Sequence, residues 1–460
     1  MKKIFSSLLM IMFVLFIVAC TPKKDDDGED PIEPTNNGQL YDFSEIYKEK
    51  ETITVWIDDQ NGEYMQAVIN AFNQTPAGKD IIVQHQHMGT VDARERLKTF
   101  GLTGNGADIF QFPHDHLSSA ILEDLVYALP TSVANRVAER AHPLGMDIAT
   151  LLYDESTGQF GPGANATENV YAVPMSLESV GLYYNKALVN KPAETMEELL
   201  EEAAIWNAAL ASDGSGQTNA QKGWYYLGTS SHWADSYFMQ TFYSALGFQP
   251  FGENLDDPSE VGFDKAQDAL AWFRNQLKPA TTGNNNHNAI NAGANFVAGH
   301  IPYIIAGPWN IEEYAGTEGL DFGIAPLPSI DGVSGAPFAG AQMAAIYKYS
   351  EKKEAATAFL EFLMSDEAME LQLKMKYKLP ALKPELLPNI DGFLTDPYLP
   401  AISLQLESAI PMPTIPAVQY YWGPGESMII SVWNNPATVI SEAVAAAEAA
   451  YRAQAGLGGN

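Results

Sequence analysis

The stretch HIPYIIAGPWNIEEY, residues 300–314, decides how the rest of the chain is interpreted. Its apolar run 303–306 predicts a buried strand, a Gly-Pro pair ends that strand, and Asn310 is suited to capping the helix that follows. Trp309 is therefore expected at the carboxyl end of a strand, where ligands bind in open α/β sheets. The alternative is that Trp309 fills the core beneath its own loop, because tryptophan is usually largely buried. This stretch alone favours neither interpretation.

Strands alternate with helices in the first quarter of the chain. Residues 52–57, 81–83 and 109–112 have the pattern of strands, and helical spacing separates them at residues 65–72 and 91–100. This order predicts an α/β fold in which a parallel sheet carries helices on its faces. The sequence FPHDH, residues 112–116, then follows the third strand and is expected at its carboxyl end, as Trp309 is in the other half.

Later stretches have the pattern of strands that leave one sheet and enter another. Residues 171–185 are apolar at both ends and carry Glu178 in the middle, where a carboxylate needs a cleft or a partner. Residues 338–347 and 394–401 are interpreted as further crossings. The prediction is a two-lobed α/β fold with hinge crossings between discontinuous lobes. The amino-terminal lobe is assigned residues 40–176 and 343–393, and the carboxyl-terminal lobe residues 177–342 and 394–460.

The first 39 residues are predicted to target and tether the protein. Two lysines precede an apolar run at residues 8–18, and Ala19 and Cys20, the single cysteine of the chain, follow it. The whole resembles a bacterial lipoprotein signal with its lipobox. The resemblance implies a signal peptide at residues 1–19 and a lipid on Cys20, which would place the protein at the extracellular face of the cell membrane. Residues 20–39 are predicted to be a disordered tether, because they contain few apolar side chains. A membrane-spanning anchor is the alternative, although the apolar run is short for a bilayer.

Length and charge narrow the class of protein. A chain of 460 residues is too long for one core, so two lobes are expected. Its formal net charge of −31 argues against a nucleic-acid partner, which would require clustered lysine and arginine. A single cysteine excludes an internal disulfide and any multi-cysteine metal site.

Six motifs occur in the order seen in the maltose-binding proteins of ATP-binding-cassette importers, and the chain resembles that family from about residue 52 to residue 450. They are TVWI (54–57), GADIF (106–110), YAVPMSLESVGLYYNK (171–186), AGPWN (306–310), FGIAPLP (322–328) and MPTIPAVQYYW (412–422). The resemblance implies a periplasmic-binding-protein-like fold and a monomeric receptor without cofactor. It also implies that the receptor binds an oligosaccharide such as a maltodextrin and delivers it to the permease subunits.

The resemblance also assigns site residues. Asp115, Glu178, Trp309 and Trp422 stand where the family hydrogen-bonds sugar hydroxyls or stacks on sugar faces. Phe112 replaces a family tryptophan, and Asp235, Tyr237 and Met412 align with further residues of the site. The family's first-loop lysine is absent, and Gln60 and Asn61 lie in its region. Its arginine after Asp115 is His116, and Gly423 and Glu426 stand where the family has tyrosine and arginine.

Each of these residues also has a structural interpretation. Asp115 has the position of a helix cap, Trp422 that of a core residue, and Asp235 and Tyr237 suit either role. Two carboxylates beside aromatic rings also occur in glycoside hydrolases, which are the alternative function, but no local motif marks an acid and base pair. His85 with His87, or His114 with His116, could place two imidazoles on one strand face, and these are interpreted as surface histidines because no third metal ligand is evident. The sequence therefore predicts a binding protein with neither catalytic residues nor a metal.

Overall fold

The computed structural model describes residues 51–282 and 286–457. The predicted signal peptide, tether and lipidated Cys20 lie outside the described residues. None of the described helices is both long and apolar enough to cross a membrane.

Fourteen strands are present in the described part of the chain. They are β1 (Glu51–Ile57), β2 (Ile81–His87), β3 (Ile109–Pro113), β4 (Thr150–Asp154), β5 (Gln159–Phe160), β6 (Thr167–Val170), β7 (Val173–Glu178), β8 (Gly181–Asn185), β9 (Leu227–Thr229), β10 (Tyr303–Ala306), β11 (Phe322–Ala325), β12 (Phe338–Ile346), β13 (Leu379–Pro380) and β14 (Ile410–Pro411).

The described α-helices surround these strands. They are α1 (Glu63–Phe72), α2 (Thr90–Phe100), α3 (Leu117–Leu122), α4 (Thr131–Arg140), α5 (Pro143–Ala149), α6 (Met196–Ala208), α7 (Ser236–Ala245), α8 (Gln267–Trp272), α9 (Lys278–Thr281), α10 (Ala292–Val297), α11 (Ile311–Ala315), α12 (Lys353–Phe362), α13 (Asp366–Lys376), α14 (Leu399–Leu406), α15 (Trp422–Asn434) and α16 (Ile440–Gln454). A π-helical segment, Phe273–Leu277, joins α8 to α9. Short 3-10 turns include His114–His116 and Pro308–Asn310.

The largest sheet has seven strands and includes the three strands predicted in the first quarter of the chain. Its order is β13-β7-β12-β3-β1-β2, with β14 paired to β12. β1 runs parallel to β2 and β3, as predicted, but β12 runs antiparallel to both β3 and β7, so the sheet is mixed. Ile53, Val55 and Ile57 of β1 are buried on one face of the sheet, and Trp56 is buried on the other.

The second sheet has the order β11-β8-β10-β9 and is organised around residues 303–306. β10 runs antiparallel to β8 and parallel to β9. Its side chains alternate between two hydrophobic clusters: Ile304 and Ala306 belong to one, Tyr303 and Ile305 to the other. The first cluster also contains the core of the seven-stranded sheet, so it extends from one sheet to the other. A third sheet, β5-β4-β6, was not predicted.

Two of the predicted crossings lie side by side between the sheets. After β7, residues Ser179 and Val180 lead directly into β8 of the other sheet. β12 pairs antiparallel with β7, so that Gly340 lies opposite Glu178, and the Ser179 hydroxyl donates to the carbonyl of Phe338 at 2.9 Å. The third predicted crossing, residues 394–401, contains a 3-10 turn and the start of α14. The described residues do not separate into two compact units, so the predicted lobe boundaries stay predictions.

Candidate functional site

A cavity of 490 Å³ opens where the carboxyl ends of β1, β3 and β10 face the two crossing strands. Its wall comes from the loop after β1, the starts of α1 and α2, strand β3, the crossing strands β7 and β12, the loop after β10 with α11, and the end of α13 with the residues that follow it. The lining residues are Asp58, Asp59, Gln60, Asn61, Glu63, Tyr64, Thr90, Gln111, Glu178, Trp309, Glu312, Gln342, Met375, Lys376 and Lys378. Four of the predicted site residues, Gln60, Asn61, Glu178 and Trp309, are therefore brought together here.

The crossing strands provide the polar floor of the cavity. Gln342 of β12 donates its side-chain amide to Glu178 Oε1 of β7 at 3.1 Å. The remaining oxygens of the pair, Glu178 Oε2 and Gln342 Oε1, are buried without a hydrogen-bond partner among the described residues. A buried acceptor without a partner is costly, so these two atoms create a demand for hydrogen-bond donors from a ligand.

Trp309 lies above this floor with an exposed ring. Its exposed fraction is 40%, which does not agree with a side chain that fills the core. The indole folds over Gly307, where an added Cβ would lie 2.3 Å from the ring, so only glycine permits this loop. Asn310 occupies the predicted N-cap position before α11, but its side chain makes no capping hydrogen bond, so the predicted cap is wrong.

Three aromatic contacts connect Trp309, which lines the cavity, to Trp422 through Tyr237 and the buried Phe338. The ring centroids of Trp309 and Tyr237 are 6.3 Å apart, those of Tyr237 and Phe338 are 6.1 Å apart, and those of Phe338 and Trp422 are 6.2 Å apart. We call these four residues the aromatic row. Trp422 is half-buried at the start of α15, with one edge against the core and one toward this row.

Tyr237 joins the aromatic row to the polar floor. Its hydroxyl is buried and has no partner among the described residues. Burial, followed by the nearby carboxylates of Glu178, Asp235 and Asp115, raises the pKa of Tyr237 well above its ordinary value, so the hydroxyl keeps its proton. A Cβ added at Gly340 would lie 3.3 Å from Glu178 Cγ and 3.4 Å from the Tyr237 hydroxyl. The two polar groups thus converge over a glycine of the crossing strand.

Asp115 lies in the turn after β3 and faces the same carboxylate. Burial, together with repulsion from Glu178, raises the pKa of Asp115 to about 6, against hydrogen bonding that includes Gln419. The helix-cap alternative is not supported, since the residue before α3 is His116 and no side chain caps that helix. Burial lowers the pKa of His116 to about 4, and its Nδ1 is buried without a partner among the described residues.

His114 corrects the interpretation of this pair as surface histidines. It is buried, its Nδ1 accepts from the Ala341 amide at 3.1 Å, and its Nε2 therefore donates to the Met412 carbonyl at 3.3 Å. Burial lowers the pKa of His114 to about 4, so the ring is neutral and ties the β3 turn to β12 and to the segment after β14. The described residues contain no group of three or more His, Cys, Asp or Glu side chains placed to hold a metal.

Three other predicted site residues have structural roles. Asp235 caps α7, where it accepts from the amides of Tyr237 and Phe238 at 3.0 and 3.3 Å. Met412 is buried and serves through its backbone, which bonds Ala339 and His114. Phe112 is fully buried and stacks on Phe110 at 5.0 Å, so it presents no ring face to the cleft, contrary to the prediction.

Sequence reasoning missed the charged and amide groups that complete the cavity. Lys376 at the end of α13 forms an ion pair with Glu312 of α11 at 2.9 Å and lies 3.9 Å from Asp59, so it joins an element of each sheet. Gln111 accepts from the Asp58 amide at 2.9 Å and holds the loop after β1. The alternating lysines of KMKYK, residues 374–378, at the end of an amphipathic helix were an available signal for the first of these groups.

The family of this chain follows from comparison with known sequences. The family described as bacterial extracellular solute-binding protein matches residues 58–370, more than half of the chain. The chain belongs to this family. The solute-binding protein has the α/β fold of the solved two-lobed binding proteins, so the predicted fold class is confirmed.

Curated relatives of this solute-binding protein are named as binding proteins for two kinds of oligosaccharide. A galactooligosaccharide-binding protein of Bacillus subtilis is 23% identical and aligns with 83% of this chain and 84% of its own length. A maltooligosaccharide transporter lipoprotein of Streptococcus pneumoniae is also 23% identical, over 94% of this chain and 92% of its own. Because the sequence identity to the two relatives is equal, it does not indicate which kind of oligosaccharide this protein binds.

Solved structures resemble the solute-binding protein over most of its length. A cyclo/maltodextrin-binding protein complexed with maltotetraose has a TM-score of 0.71 at 23% identity, covering 88% of this chain and 97% of the other. The maltose-maltodextrin binding protein of Alicyclobacillus acidocaldarius has a TM-score of 0.69 at 23% identity, covering 87% and 100%. At this identity the likeness establishes the fold.

Replacing Asp115 by asparagine is expected to stabilise the ligand-free protein by about 1–3 kcal/mol at neutral pH. The pKa of Asp115 is raised to about 6 in the folded state, so the folded chain holds a proton that the unfolded chain releases near pH 4. This group therefore costs stability increasingly as pH rises from about 4 to about 6, and asparagine removes that cost. Thermal melts of both proteins at about pH 4 and pH 7.5 measure the difference.

His114 and His116 in the same turn have pKa values lowered to about 4, so they also titrate in this pH range. Because both proteins contain them, comparison with the wild type isolates the effect of Asp115. A variant that is less stable than the wild type at pH 7.5 would contradict the prediction and would show that the Asp115 carboxylate stabilises the fold.

Proposed function

We propose that this protein binds a neutral oligosaccharide of the maltodextrin class in the cleft and delivers it to an ATP-binding-cassette permease. The observation that carries the proposal is the pair of unpartnered acceptors, Glu178 Oε2 and Gln342 Oε1, beneath the exposed ring of Trp309. Sugars present hydroxyl donors at their edges and apolar C–H groups on their faces, and acceptors beside a flat aromatic ring match both. The names of the relatives and the family support the same class of ligand.

The aromatic row supports a ligand longer than one sugar. Trp309 is exposed and Tyr237 and Trp422 are half-buried, so these three rings can offer apolar surface to successive sugar rings, whereas Phe338 is buried and packs between Tyr237 and Trp422. Asp115 and Glu178 lie beside this row and provide acceptors for the hydroxyl edges. Lobe closure on the sugar would bring these groups into contact with it from both sides.

The test of the function is a binding screen by calorimetry. Maltose, maltotriose, longer maltodextrins and galactooligosaccharides are titrated into the protein, and a maltodextrin is expected to bind more tightly than a galactooligosaccharide of equal length. The reverse order of affinities would mean that the preferred ligand is a galactooligosaccharide, and the protein would still be an oligosaccharide receptor. No binding by either class would overturn the proposal.

A glycoside hydrolase is the second candidate because Asp115 and Glu178 form a carboxyl pair in which Asp115 has its pKa raised to about 6, a property of general acids. Names of the relatives as binding proteins weigh against it. We propose that the protein has no hydrolytic activity. Incubating it with maltodextrins and analysing the products by chromatography decides between the two: shortened chains would favour the hydrolase.

We also propose that the protein is a monomer held at the extracellular face of the cell membrane by a lipid on Cys20. The signal-like pattern of residues 1–20 supports this, and a relative is named as a lipoprotein. In the native host, Cys20→Ala is expected to move the protein from the membrane fraction to the medium. Fractionation and immunoblotting measure the change. A variant that stays with the membrane would indicate a spanning anchor instead.

A further inference from the structure

Lys378 lies directly before β13, the strand that pairs with the Glu178 strand β7. β13 pairs antiparallel with β7, with Leu379 opposite Leu177 and Pro380 opposite Ser176. Continuing this register by one residue places Lys378 opposite Glu178. Side chains directly opposite in a sheet project from the same face, and both residues line the 490 Å³ cavity.

The two opposite charges do not neutralise one another by direct contact. Lys378 forms neither an ion pair nor a hydrogen bond with another residue in the ranges 51–282 and 286–457, and Glu178 Oε2 is likewise without a partner there. Lys376, two residues earlier, is already paired with Glu312. Lys378 is therefore the lysine of this cavity whose ammonium is available to a ligand.

The surroundings of Lys378 favour a neutral ligand over an anionic one. Burial lowers the pKa of the Lys378 ammonium, and Glu178 is the group that opposes this most strongly, which agrees with their proximity. Two lysines face five carboxylates in the cavity, so an anionic sugar would meet net repulsion. The acidic lining residues are Asp58, Asp59, Glu63, Glu178 and Glu312.

A sugar hydroxyl pair fits between these two groups. An ammonium only donates hydrogen bonds and a carboxylate only accepts them, whereas a hydroxyl does both. One hydroxyl can accept from Lys378 while its neighbour on the ring donates to Glu178 Oε2. Charge-assisted bonds of this kind are the stronger ones in proteins.

We propose that Lys378 is a specificity-determining sugar-binding residue, whose ammonium acts with Glu178 Oε2 to bind adjacent hydroxyls of one sugar ring. The inference rests on the proposed function and deepens it. It also supplies the cleft with a cation from the segment between α13 and β13, whereas the loop after β1 carries Gln60 and Asn61.

The test compares Lys378→Met with Lys374→Met by calorimetry, using maltotriose as the probe, or the tightest sugar of the screen if that is another one. Lys378→Met is expected to weaken binding about tenfold to a hundredfold, because methionine keeps the apolar stem and removes the donors. Lys374→Met is the matched control, since Lys374 lies four residues earlier on α13, is not among the residues that line the cavity, and pairs with Glu370 and Asp391. Its affinity is expected to equal that of the wild type.

Two further measurements separate a ligand contact from a structural role. The melting temperature of ligand-free Lys378→Met is expected to match or exceed that of the wild type, because an unpaired half-buried charge is removed. In the double variant with Glu178→Gln, the loss of affinity should be smaller than the sum of the two single losses, because both residues bind one ring.

Wild-type affinity in Lys378→Met, or a loss explained by reduced stability of the ligand-free protein, would overturn this inference and leave the proposed function intact. Additive losses in the double variant would also overturn it, since the two residues would then act independently. If the wild type binds no sugar of the screen, the proposed function fails and the role of Lys378 fails with it.

Discussion

Trp309→Ala is expected to weaken sugar binding about tenfold to a hundredfold while leaving the ligand-free fold nearly unchanged. The indole is 40% exposed and lies above the Glu178–Gln342 floor, so its face is available for stacking on a sugar ring. An aromatic anchor of this kind contributes on the order of 1–3 kcal/mol to binding, which corresponds to that change in affinity. Calorimetry gives the affinity, and a thermal melt without sugar gives the stability.

A second tryptophan provides the control for Trp309. Trp433 is 1% exposed and stacks on Trp233 with ring centroids 5.9 Å apart, so Trp433→Ala removes a core side chain. That variant is expected to lose about 3–5 kcal/mol of stability, which Trp309→Ala should not lose. A Trp309→Ala protein that melts like Trp433→Ala and binds sugar like the wild type would show that Trp309 serves the core.

Glu178→Gln is expected to weaken sugar binding by a similar or larger factor. The substitution keeps the shape of the side chain and leaves an amide oxygen to accept from Gln342, so the fold should persist. It replaces the unpartnered Oε2 acceptor by a donor, which turns a hydrogen bond with a sugar hydroxyl into a mismatch. A loss of about 2–3 kcal/mol, which is about 30-fold to 150-fold in affinity, is expected by calorimetry.

The matched control is Glu312→Gln, which also changes a carboxylate of the cavity. Glu312 is 55% exposed and already paired with Lys376, so its loss is expected to change affinity only a few-fold. Equal effects of the two substitutions would mean that affinity depends on the total charge of the cavity. Unchanged affinity in Glu178→Gln would show that the Glu178–Gln342 floor is not part of the sugar-binding site.

The sequence predicted those elements whose burial follows a regular period. β1, β10 and the crossing strands β7 and β12 were recognisable because apolar runs or alternation end at turn residues. β13 was not, since two residues, Leu379 and Pro380, form a strand only through their pairing with β7. Lys378 and Gln342 were missed for the same reason: their place in the cavity depends on register between segments far apart in the chain.

Site residues on fully buried strands were the hardest to assign. Phe112 follows Phe110 on β3, where four successive residues are buried, so period-two alternation gives no indication of which ring faces a cleft. His114 was interpreted as a surface histidine because no third metal ligand was evident, whereas the turn carries it inward against Ala341 and Met412. Glu178 was easier, because a carboxylate between apolar neighbours needs a special environment.

Glu178 ends β7, and residues 179–180 then lead into β8 of the second sheet, so the floor of the site adjoins the link between the two sheets. A substitution at Glu178, Gln342 or Gly340 therefore alters sugar contacts and the link together, whereas Gln60, Asn61 and Trp309 lie on loops that end outside it. An engineer who wishes to change the preferred sugar should randomise the rim loops and keep the floor constant. For the same reason, we expect sequence divergence among such receptors to be easiest in the rim loops, where sugar-binding residues can change without altering the link between the two sheets.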